Sequence, residues 1–434
     1  MPTYHYDWLK VPEGFEFGLA ETDAEIDEVV HFNTEIFGPA YGEFLKRLVE
    51  NLPGFKSEMN SFIRDADSGR IVSSVVAFPS DWSYDGIIIR NLELVFLGTA
   101  EAYRNRGLFN VLYTYLDRLI REGEYEISSV QGVPYFYRKY GYDLIIPTSY
   151  NCPINLPIGN IPVLKSESEP EFMNIAIRSA EDSDFDILMI LLQETNQKSL
   201  VSAVRSRELW RIQERLRMEI SWNFDTFVLE KNGIVDGYFR LLEYGSMSQT
   251  NSLVVPESSI RSYDSTMRTL YFIKALAEEK GVRTLKVPGH LSSNLGKLAL
   301  DYGGTHNLMW KHQIRVPDLT RFLNKIRPVL EKRLKGTMFE NLTKEIFLNT
   351  YRSCHRLKFV NGSLDPIENI GAQPPNTYVE LCFPPDSFKA LMFGDSSLSE
   401  LKKQNLEISI GRGYRELFET LFPTRESFIY HYHC

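Results

Sequence analysis

A short basic segment with one glycine has the residue types of a phosphate-binding loop. It runs from residue 103 to 109 with the sequence YRNRGLF, after an apolar, β-branched stretch that predicts a buried strand. The N–H groups at a helix N-terminus lack intrahelical partners and carry the positive end of the helix dipole, so a helix starting here could bind a pyrophosphate. Gly107 would permit close approach of the backbone, and Arg104 and Arg106 add positive charge. Turns that bind no ligand show the same pattern, so this segment alone leaves both interpretations open.

A tyrosine-rich segment, FYRKYGY, follows at residues 136–142. Tyr137 stands thirty residues after Gly107. A tyrosine hydroxyl, with a reference pKa near 10, can donate a proton to a group within hydrogen-bond reach. The chain has 23 tyrosines, so Tyr137 taken alone could equally be a packing residue of the core or its rim.

Both segments lie in a stretch of about 150 residues that alternates helical and strand patterns, as an α/β domain requires. The spacing predicts helices over residues 23–37 and 108–121, the second with one apolar stripe. Two strands joined by an Asp-Ser-Gly turn are predicted at residues 61–64 and 71–78. Residues 86–97 are apolar enough for a buried strand or two.

The rest of the chain divides into two further units. Proline-rich sequence followed by a charged run indicates a boundary between residues 147 and 170. The next unit repeats the element order of the first, with a strand at residues 253–255 and a helix from about Thr266, which suggests a duplication. A third unit begins with a helix predicted over residues 319–334 and continues through a turn-rich, mostly β-like stretch. The predicted domains are residues 1–150, 151–315 and 316–434.

Together, the two segments of the first unit resemble the GNAT acetyltransferase superfamily. The Arg/Gln-x-x-Gly-x-Gly/Ala loop of that superfamily matches from Arg104, and its Phe-Tyr-x-x-x-Gly-Phe/Tyr segment matches at residues 136–142. The order of the three units is similar to that of the Eis (enhanced intracellular survival) type of N-acetyltransferase. The likeness of the third unit rests on its first helix, on FGDSSLSEL at residues 393–401 and on LFP at residues 421–423. This resemblance implies an α/β (α+β) fold with two GNAT-like mixed-sheet units followed by a sterol-carrier-protein-like α+β domain.

The resemblance also implies an acetyl-CoA site in the first unit. Arg104 and Gly107 match the first Arg/Gln and the first Gly of the family loop. Leu97 and Thr99 occupy strand positions whose backbone pairs with the pantetheine arm in the family. The implied cofactor-binding residues are Leu97, Gly98, Thr99, Arg104, Asn105, Arg106, Gly107 and Leu108.

The sequence departs from the family pattern at two positions of this loop. Phe109 stands where Gly or Ala is usual, and Glu101 stands where Pro is frequent. The Eis type tolerates a larger residue at the first of these, so we expect weaker CoA binding at most. The second unit departs further, because its loop at residues 256–265 has no glycine and about Ala299 stands in the place of Tyr137. We therefore expect the second unit to be a scaffold that lines one wall of the substrate cleft.

Acetyl transfer to an amine needs a proton donor and a proton acceptor. The resemblance makes Tyr137 the acid that protonates the departing thiolate, whose pKa lies near 8.5. The substrate ammonium, with a pKa near 10.4, must lose a proton. The Eis type uses its C-terminal α-carboxylate as this base, and here that group belongs to Cys434. Glu93 is the second candidate, because histone-type members place a strand glutamate there; the alternative role of Glu93 is an ion pair on the sheet.

The balance of charged residues limits the kinds of molecule that we expect the protein to bind. There are 48 Lys plus Arg residues against 57 Asp plus Glu residues, a net charge of −9 at pH 7. This charge repels phosphate backbones and attracts cations, so we expect a small cationic amine and no nucleic acid. Aminoglycosides, polyamines and lysine side chains all fit.

The sequence gives no sign of a metal site or of a membrane segment. The four cysteines have no CxxC spacing and the eight histidines include no HExxH, so we expect no metal cofactor. The terminal group His431, His433 and Cys434 is likewise not expected to bind a metal. A basic and apolar leader and an 18-residue apolar run are both missing from the sequence, which predicts a cytoplasmic protein that does not contact a membrane.

Two function classes remain open at this point. The first is an acetyl-CoA-dependent N-acetyltransferase, for which the resemblance also implies a homo-oligomer, specifically a hexamer. The second is a non-enzymatic protein whose C-terminal unit binds an apolar ligand or lipid while its first unit senses acyl-CoA. An added C-terminal tail distinguishes them, since an enzyme that uses its terminal carboxylate should not tolerate the tail and a binding protein should.

Overall fold

Three mixed β-sheets and the helices around them build the chain. The computed structural model describes residue 6 and residues 8–148, 152–163, 171–216, 224–242, 252–288, 293–307, 310–374 and 379–430. The helices are α1 (Asp23–Phe37), α2 (Pro39–Asn51), α3 (Leu108–Glu122), α4 (Phe185–Asn196), α5 (Arg207–Leu216), α6 (Tyr263–Lys280), α7 (Asn294–Asp301), α8 (Leu319–Lys325), α9 (Arg327–Leu334), α10 (Pro385–Met392), α11 (Leu398–Gln404) and α12 (Arg415–Leu421). The strands are β1 (Phe15–Leu19), β2 (Asn60–Asp65), β3 (Ile71–Tyr84), β4 (Ile87–Thr99), β5 (Ile127–Val130), β6 (Asp143–Pro147), β7 (Ile154–Pro157), β8 (Ala176–Ser179), β9 (Val201–Ala203), β10 (Phe224–Lys231), β11 (Ile234–Leu242), β12 (Ser252–Ile260), β13 (Thr284–Val287), β14 (Thr305–His306), β15 (Lys311–Arg315), β16 (Lys344–Asn349), β17 (Cys354–Val360), β18 (Ser363–Leu364), β19 (Glu368–Asn369), β20 (Leu381–Cys382) and β21 (Ser409–Ile410).

The first sheet has the order β1-β2-β3-β4-β5-β15-β6, with β9 paired to β3. β4 and β5 are parallel, whereas β15 is antiparallel to both β5 and β6. Successive side chains of β3 point to opposite faces, so Val76 packs among side chains of α1 and α2 while Val75 packs under α3. The sheet therefore lies between these helices, and α3 starts at the end of β4.

The second sheet repeats the parallel pair and exchanges strands with the first. Its order is β14-β7-β13-β12-β11-β10-β8, and β12 and β13 are parallel. β7 follows β6 directly in the chain and joins this second sheet, while β15 follows β14 and returns to the first sheet. The third sheet has the order β18-β17-β16-β20-β21, with β19 on β17. The α+β class is as predicted, and the limits of the three domains remain a prediction because strands cross between the first two sheets.

Hydrogen bonds between residues close in sequence determine where several elements begin and end. α1 has a capping box, in which Thr22 accepts from the backbone N–H of Glu25 and the Glu25 carboxylate accepts from the backbone N–H of Thr22. Asp65 accepts from the N–H of Ser68 in the turn between β2 and β3. Both helices predicted in the first unit start at the predicted residues.

Three predicted elements differ from the structure. The helix predicted over residues 319–334 is two helices, because Pro328 has no backbone N–H to continue α8 and instead lies in the first turn of α9. The strand predicted at residues 253–255 continues to Ile260, since it keeps pairing with β11 as far as Gly237. The C-terminal stretch is not mostly β, because it contains α10, α11 and α12.

The third unit packs against the first sheet through aromatic residues. The Tyr84 ring lies 5.7 Å from that of Phe322 and 6.1 Å from that of Phe393, and its hydroxyl donates to the Met392 carbonyl at 2.7 Å. Trp82 and Tyr84 belong to the same buried cluster as the core of the third unit. None of the described helices has both the length and the apolar composition needed to cross a bilayer.

Candidate active site

The N-terminus of α3 is open. Gly107 caps this helix in the left-handed conformation with φ of 80° and, having no side chain, supplies no side-chain cap to the first turn. A Cβ atom built on Gly107 would meet no heavy atom within 4 Å in the described residues. The uncapped N–H groups of the first turn carry the positive end of the helix dipole, an arrangement that can bind a phosphate.

Both predicted arginines lie beside this helix end on the surface. The Arg104 Nε donates to the Thr99 carbonyl at 3.4 Å. Arg106 lies over the Tyr103 ring at 5.0 Å and donates to the Ala102 carbonyl at 3.2 Å. The loop between β4 and α3 therefore presents two guanidinium groups next to the free N–H groups, and Asn105, with φ of 65°, helps it to turn.

The end of β4 leaves one edge without a partner strand. Pairing with β5 stops at Leu94 opposite Val130, although β4 continues to Thr99. On its other edge β4 still pairs with β3, where the Ser73 hydroxyl bonds Thr99 Oγ1 at 2.8 Å and the Gly98 carbonyl at 3.0 Å. Within the described part of the chain, residues 95–99 have no strand on the β5 side. Residues 97–99 therefore have one free edge, to which Leu97 and Thr99 turn their backbone groups while the Gly98 carbonyl faces Ser73 of β3. The pairing of this edge with a pantetheine arm remains a prediction.

Tyr137 lies on a 3₁₀ turn, Phe136–Tyr140, between β5 and β6. Its ring lies directly on Gly132, since a Cβ atom there would be 2.3 Å from Tyr137 Cε2. Tyr137 is 6% exposed. Burial raises the pKa of Tyr137 above its ordinary value of 10. The hydroxyl is therefore protonated at neutral pH and able to donate.

Phe109 packs the loop between β4 and α3 against the 3₁₀ turn Phe136–Tyr140, which we call the tyrosine turn. The centroid of its ring lies 6.4 Å from that of Tyr137, 5.3 Å from that of Phe136 and 5.4 Å from that of Tyr140. The Tyr140 hydroxyl also donates to Asn110 Oδ1 at 2.6 Å. The large side chain at position 109, where the family pattern has Gly or Ala, is therefore used for packing. Its contacts bring the α3 N-terminus and Tyr137 to one side of the sheet.

Glu93, the second candidate base, lies in a small polar cluster that the sequence did not reveal. It is 4% exposed on β4, and its Oε1 is 3.4 Å from Gln131 Nε2 and 3.8 Å from His312 Nδ1. Gln131 precedes the glycine under Tyr137. His312 comes from β15 at a bulge, where Gln313 donates to the Gly132 carbonyl at 3.1 Å.

Only the sheet topology brings His312 to the first unit, so no local pattern could have identified it. An ion pair on the sheet is the alternative role predicted for Glu93, and an imidazole and an amide lie beside this carboxylate.

Cys434, the first candidate base, lies outside the described residues. The last described residues run along the first sheet, where Ile429 bridges Thr148 at the end of β6. Tyr430 is buried, and its hydroxyl donates to the Ser258 carbonyl at 3.0 Å.

In the second unit, side chains occupy the places that correspond to the open helix end and the free strand edge of the first unit. The helix α6 begins at Tyr263 after a loop of only two residues, which corrects the predicted loop at 256–265. Ser262 caps the helix and donates to the Asp236 carboxylate, which also accepts from Ser265. An internal carboxylate therefore lies where a phosphate would bind.

The strand edge of the second unit is also covered. The parallel pairing of β12 with β13 ends at Val254, and beyond it the carbonyls of Ser258 and Ile260 accept hydrogen bonds from the Tyr430 hydroxyl at 3.0 Å and from Asn294 Nδ2 at 2.8 Å. Ala299, the expected counterpart of Tyr137, is buried in α7. Among the described residues, no cluster of three or more His, Cys, Asp or Glu side chains has the arrangement of a metal site.

Comparison with known proteins agrees with this geometry. Residues 20–145 match the family described as "Acetyltransferase (GNAT) domain". No curated protein sequence matches the chain.

Solved structures share the fold over nearly the whole length. A GCN5-related N-acetyltransferase from Anabaena variabilis has a TM-score of 0.70 at 13% identity, covering 96% of this chain and 99% of the other. A GCN5-related N-acetyltransferase from Kribbella flavida has a TM-score of 0.65 at 15% identity, covering 96% and 100%. Eis1 from Mycobacterium abscessus has a TM-score of 0.58 at 12% identity, covering 96% and 99%. Residues 20–145 are thus an acetyltransferase domain of the GNAT type, in a chain whose overall fold resembles that of Eis1 and those of the two GCN5-related N-acetyltransferases.

Proposed function

We propose that the protein is an acetyl-CoA-dependent N-acetyltransferase that acts on a primary amine of a cationic substrate. One observation carries the proposal: the open N-terminus of α3 and the Tyr137 turn are joined by Phe109 on one side of the first sheet. The second unit has the same element order, but Asp236 and Asn294 fill its corresponding positions.

The residues of the first unit fit acetyl-CoA as a substrate. The N–H groups at Gly107 and Leu108, with Arg104 and Arg106, would hold the pyrophosphate, and Asn105 shapes this loop. The free edge at Leu97, Gly98 and Thr99 would pair with the pantetheine arm. Acetyl-CoA supplies the activated acetyl group.

The reaction needs a proton acceptor for the amine and a proton donor for the thiolate. The deprotonated amine nitrogen attacks the thioester carbonyl carbon, a C–N bond forms and the C–S bond breaks. The Tyr137 hydroxyl gives its proton to the thiolate, and the proton that the nitrogen loses as the amide forms returns to the Tyr137 oxygen. A carboxylate must first accept a proton from the ammonium group, and we assign this role to the α-carboxylate of Cys434, with Glu93 as the alternative.

An acetyl-CoA consumption assay of the untagged protein against a panel of aminoglycosides, polyamines and lysine peptides tests this function. We expect at least one amine to be acetylated, with the product identified by its mass. Gly107→Glu should abolish turnover, because it places a carboxylate against the pyrophosphate. If no amine is acetylated while an apolar ligand binds the region after residue 315, the protein is a binding protein.

Two changes to the untagged enzyme separate the candidate bases. A short Gly-Ser tail after Cys434 should remove the base and distort the cleft, whereas Glu93→Gln keeps the shape and removes only that carboxylate. We expect the tail to reduce turnover more than the substitution does. Full activity of the tailed protein together with inactivity of Glu93→Gln would assign the base to Glu93. The hexamer implied by the Eis resemblance can be tested on the same untagged sample by light scattering.

A further inference from the structure

A lysine of the third unit holds the turn that carries Tyr137. Lys389 lies on α10 and donates from Nζ to the Gly141 carbonyl at 2.6 Å. The same ammonium group forms an ion pair with Asp143, the first residue of β6. Lys389 therefore contacts the backbone and a side chain immediately after the 3₁₀ turn Phe136–Tyr140.

Gly141 is the residue that closes this turn. It is left-handed with φ of 87°, and its N–H donates to the Arg138 carbonyl at 2.9 Å. The N–H of Tyr142 donates back to the Tyr137 carbonyl at 3.3 Å. A donor fixed on the Gly141 carbonyl therefore restrains the same peptide loop that sets the position of Tyr137.

The environment of Lys389 makes this contact specific. The residue is 8% exposed. An ammonium group is stable at such a position only when it is paired and hydrogen-bonded, so it cannot move freely away from Gly141 and Asp143. A buried cation that bonds a main-chain carbonyl of another unit fixes one geometry of that unit.

We infer that Lys389 is a positioning residue for Tyr137, so that the third unit sets the place of the catalytic acid. This inference rests on the proposed role of Tyr137 in protonating the thiolate. It gives the third unit a part in acetyl transfer that needs no ligand bound to that unit.

Lys389→Met tests the inference, with Lys311→Met as the matched control. Lys311 also forms an ion pair between units, with Asp395, and none of its contacts within the described part of the chain reaches the turn Phe136–Tyr140. We expect Lys389→Met to lower kcat by about tenfold or more, because small displacements of a catalytic group cost up to about 10²-fold. The acetyl-CoA affinity of Lys389→Met should stay within a few-fold of the parent, and Lys311→Met should keep the parent kcat.

A double-mutant cycle with Tyr137→Phe separates positioning from general loss of structure. If Lys389 acts through Tyr137, Lys389→Met should lower kcat no further in the Tyr137→Phe background. Losses that multiply, or an unchanged kcat in Lys389→Met, would overturn the inference while leaving Tyr137 as the acid. A Tyr137→Phe variant with full turnover would instead overturn the role of Tyr137, and this inference with it. Should Lys389→Met not fold, Lys389→Gln takes its place in the cycle with the same expectation.

Discussion

The chemistry proposed for Tyr137 depends on its burial. Burial raises its pKa above 10, so the protonated form persists through the neutral and mildly alkaline range. A group with a raised pKa keeps its proton until the pH passes the higher value. In the proposed mechanism, Tyr137 therefore holds the proton it needs as an acid throughout this range.

Replacing Tyr137 with Phe should remove only the proton donor. General acid catalysis is worth about 10²–10⁴-fold, so we expect kcat to fall by at least tenfold. Acetyl-CoA affinity, measured by titration calorimetry, should stay within a few-fold of the parent because the α3 N-terminus is unchanged. Unchanged turnover would mean that water or another residue protonates the thiolate.

At the scale of elements, local patterns predict helices and hairpins better than they predict sheets. The sequence located α1 and α3 because their apolar spacing and caps are local. It missed the length of β12 because strand pairing, not composition, continues that strand to Ile260. It missed the insertion of β15 between β5 and β6 for the same reason.

The candidate site also combines segments that are contiguous in sequence with single residues that come from distant parts of the chain. The loop between β4 and α3 and the turn Phe136–Tyr140 could be proposed as site segments from the sequence because each is contiguous in sequence. Long-range contacts alone bring His312 and Lys389 to the first unit, so no spacing along the chain could indicate either of them.

The second unit contains a buried ion cluster on neighbouring elements. Glu257 of β12 accepts two hydrogen bonds from Arg205, at 2.8 and 2.6 Å, and lies 3.8 Å from Arg240 of β11. The Trp210 ring of α5 lies 4.4 Å from the Arg205 guanidinium and 4.5 Å from that of Arg240. Burial alone would raise the pKa of Glu257, but the two guanidinium groups outweigh it and lower the pKa to about 2.

Glu257→Gln should therefore destabilise the protein strongly. Removing one partner of a buried ion cluster costs about 3–5 kcal/mol of unfolding free energy, which urea titration measures. Glu345→Gln, which breaks the exposed pair with Arg356, should cost at most about 1 kcal/mol. Equal stability of the two variants would contradict this account of the cluster.

The lowered pKa of Glu257 also fixes the pH range of this effect. The contribution of the Glu257 carboxylate to the free energy of unfolding is complete above the ordinary glutamate pKa of 4.5. It is lost as the pH falls towards about 2. The stability difference between the parent and Glu257→Gln should shrink over the same range.

At the scale of the whole molecule, the net charge of −9 would favour the approach of the cationic amine that we propose as substrate. Exposed charges are screened beyond about 10 Å at 0.1 M salt, so the KM for the amine should rise as salt is added. Steady-state assays at saturating acetyl-CoA measure this directly. A KM that does not change with salt would mean that the long-range field plays no part in amine binding.

The number of acetyl-CoA molecules bound by each chain tests the central claim most directly, since the claim is that only the first of two similar units carries the acyl-CoA site. Calorimetric titration of the untagged protein should give a stoichiometry near one, and Gly107→Glu should abolish the binding. The second unit should add no site because Asp236 and Asn294 fill its corresponding positions. A stoichiometry near two, or undiminished binding by Gly107→Glu, would contradict the account.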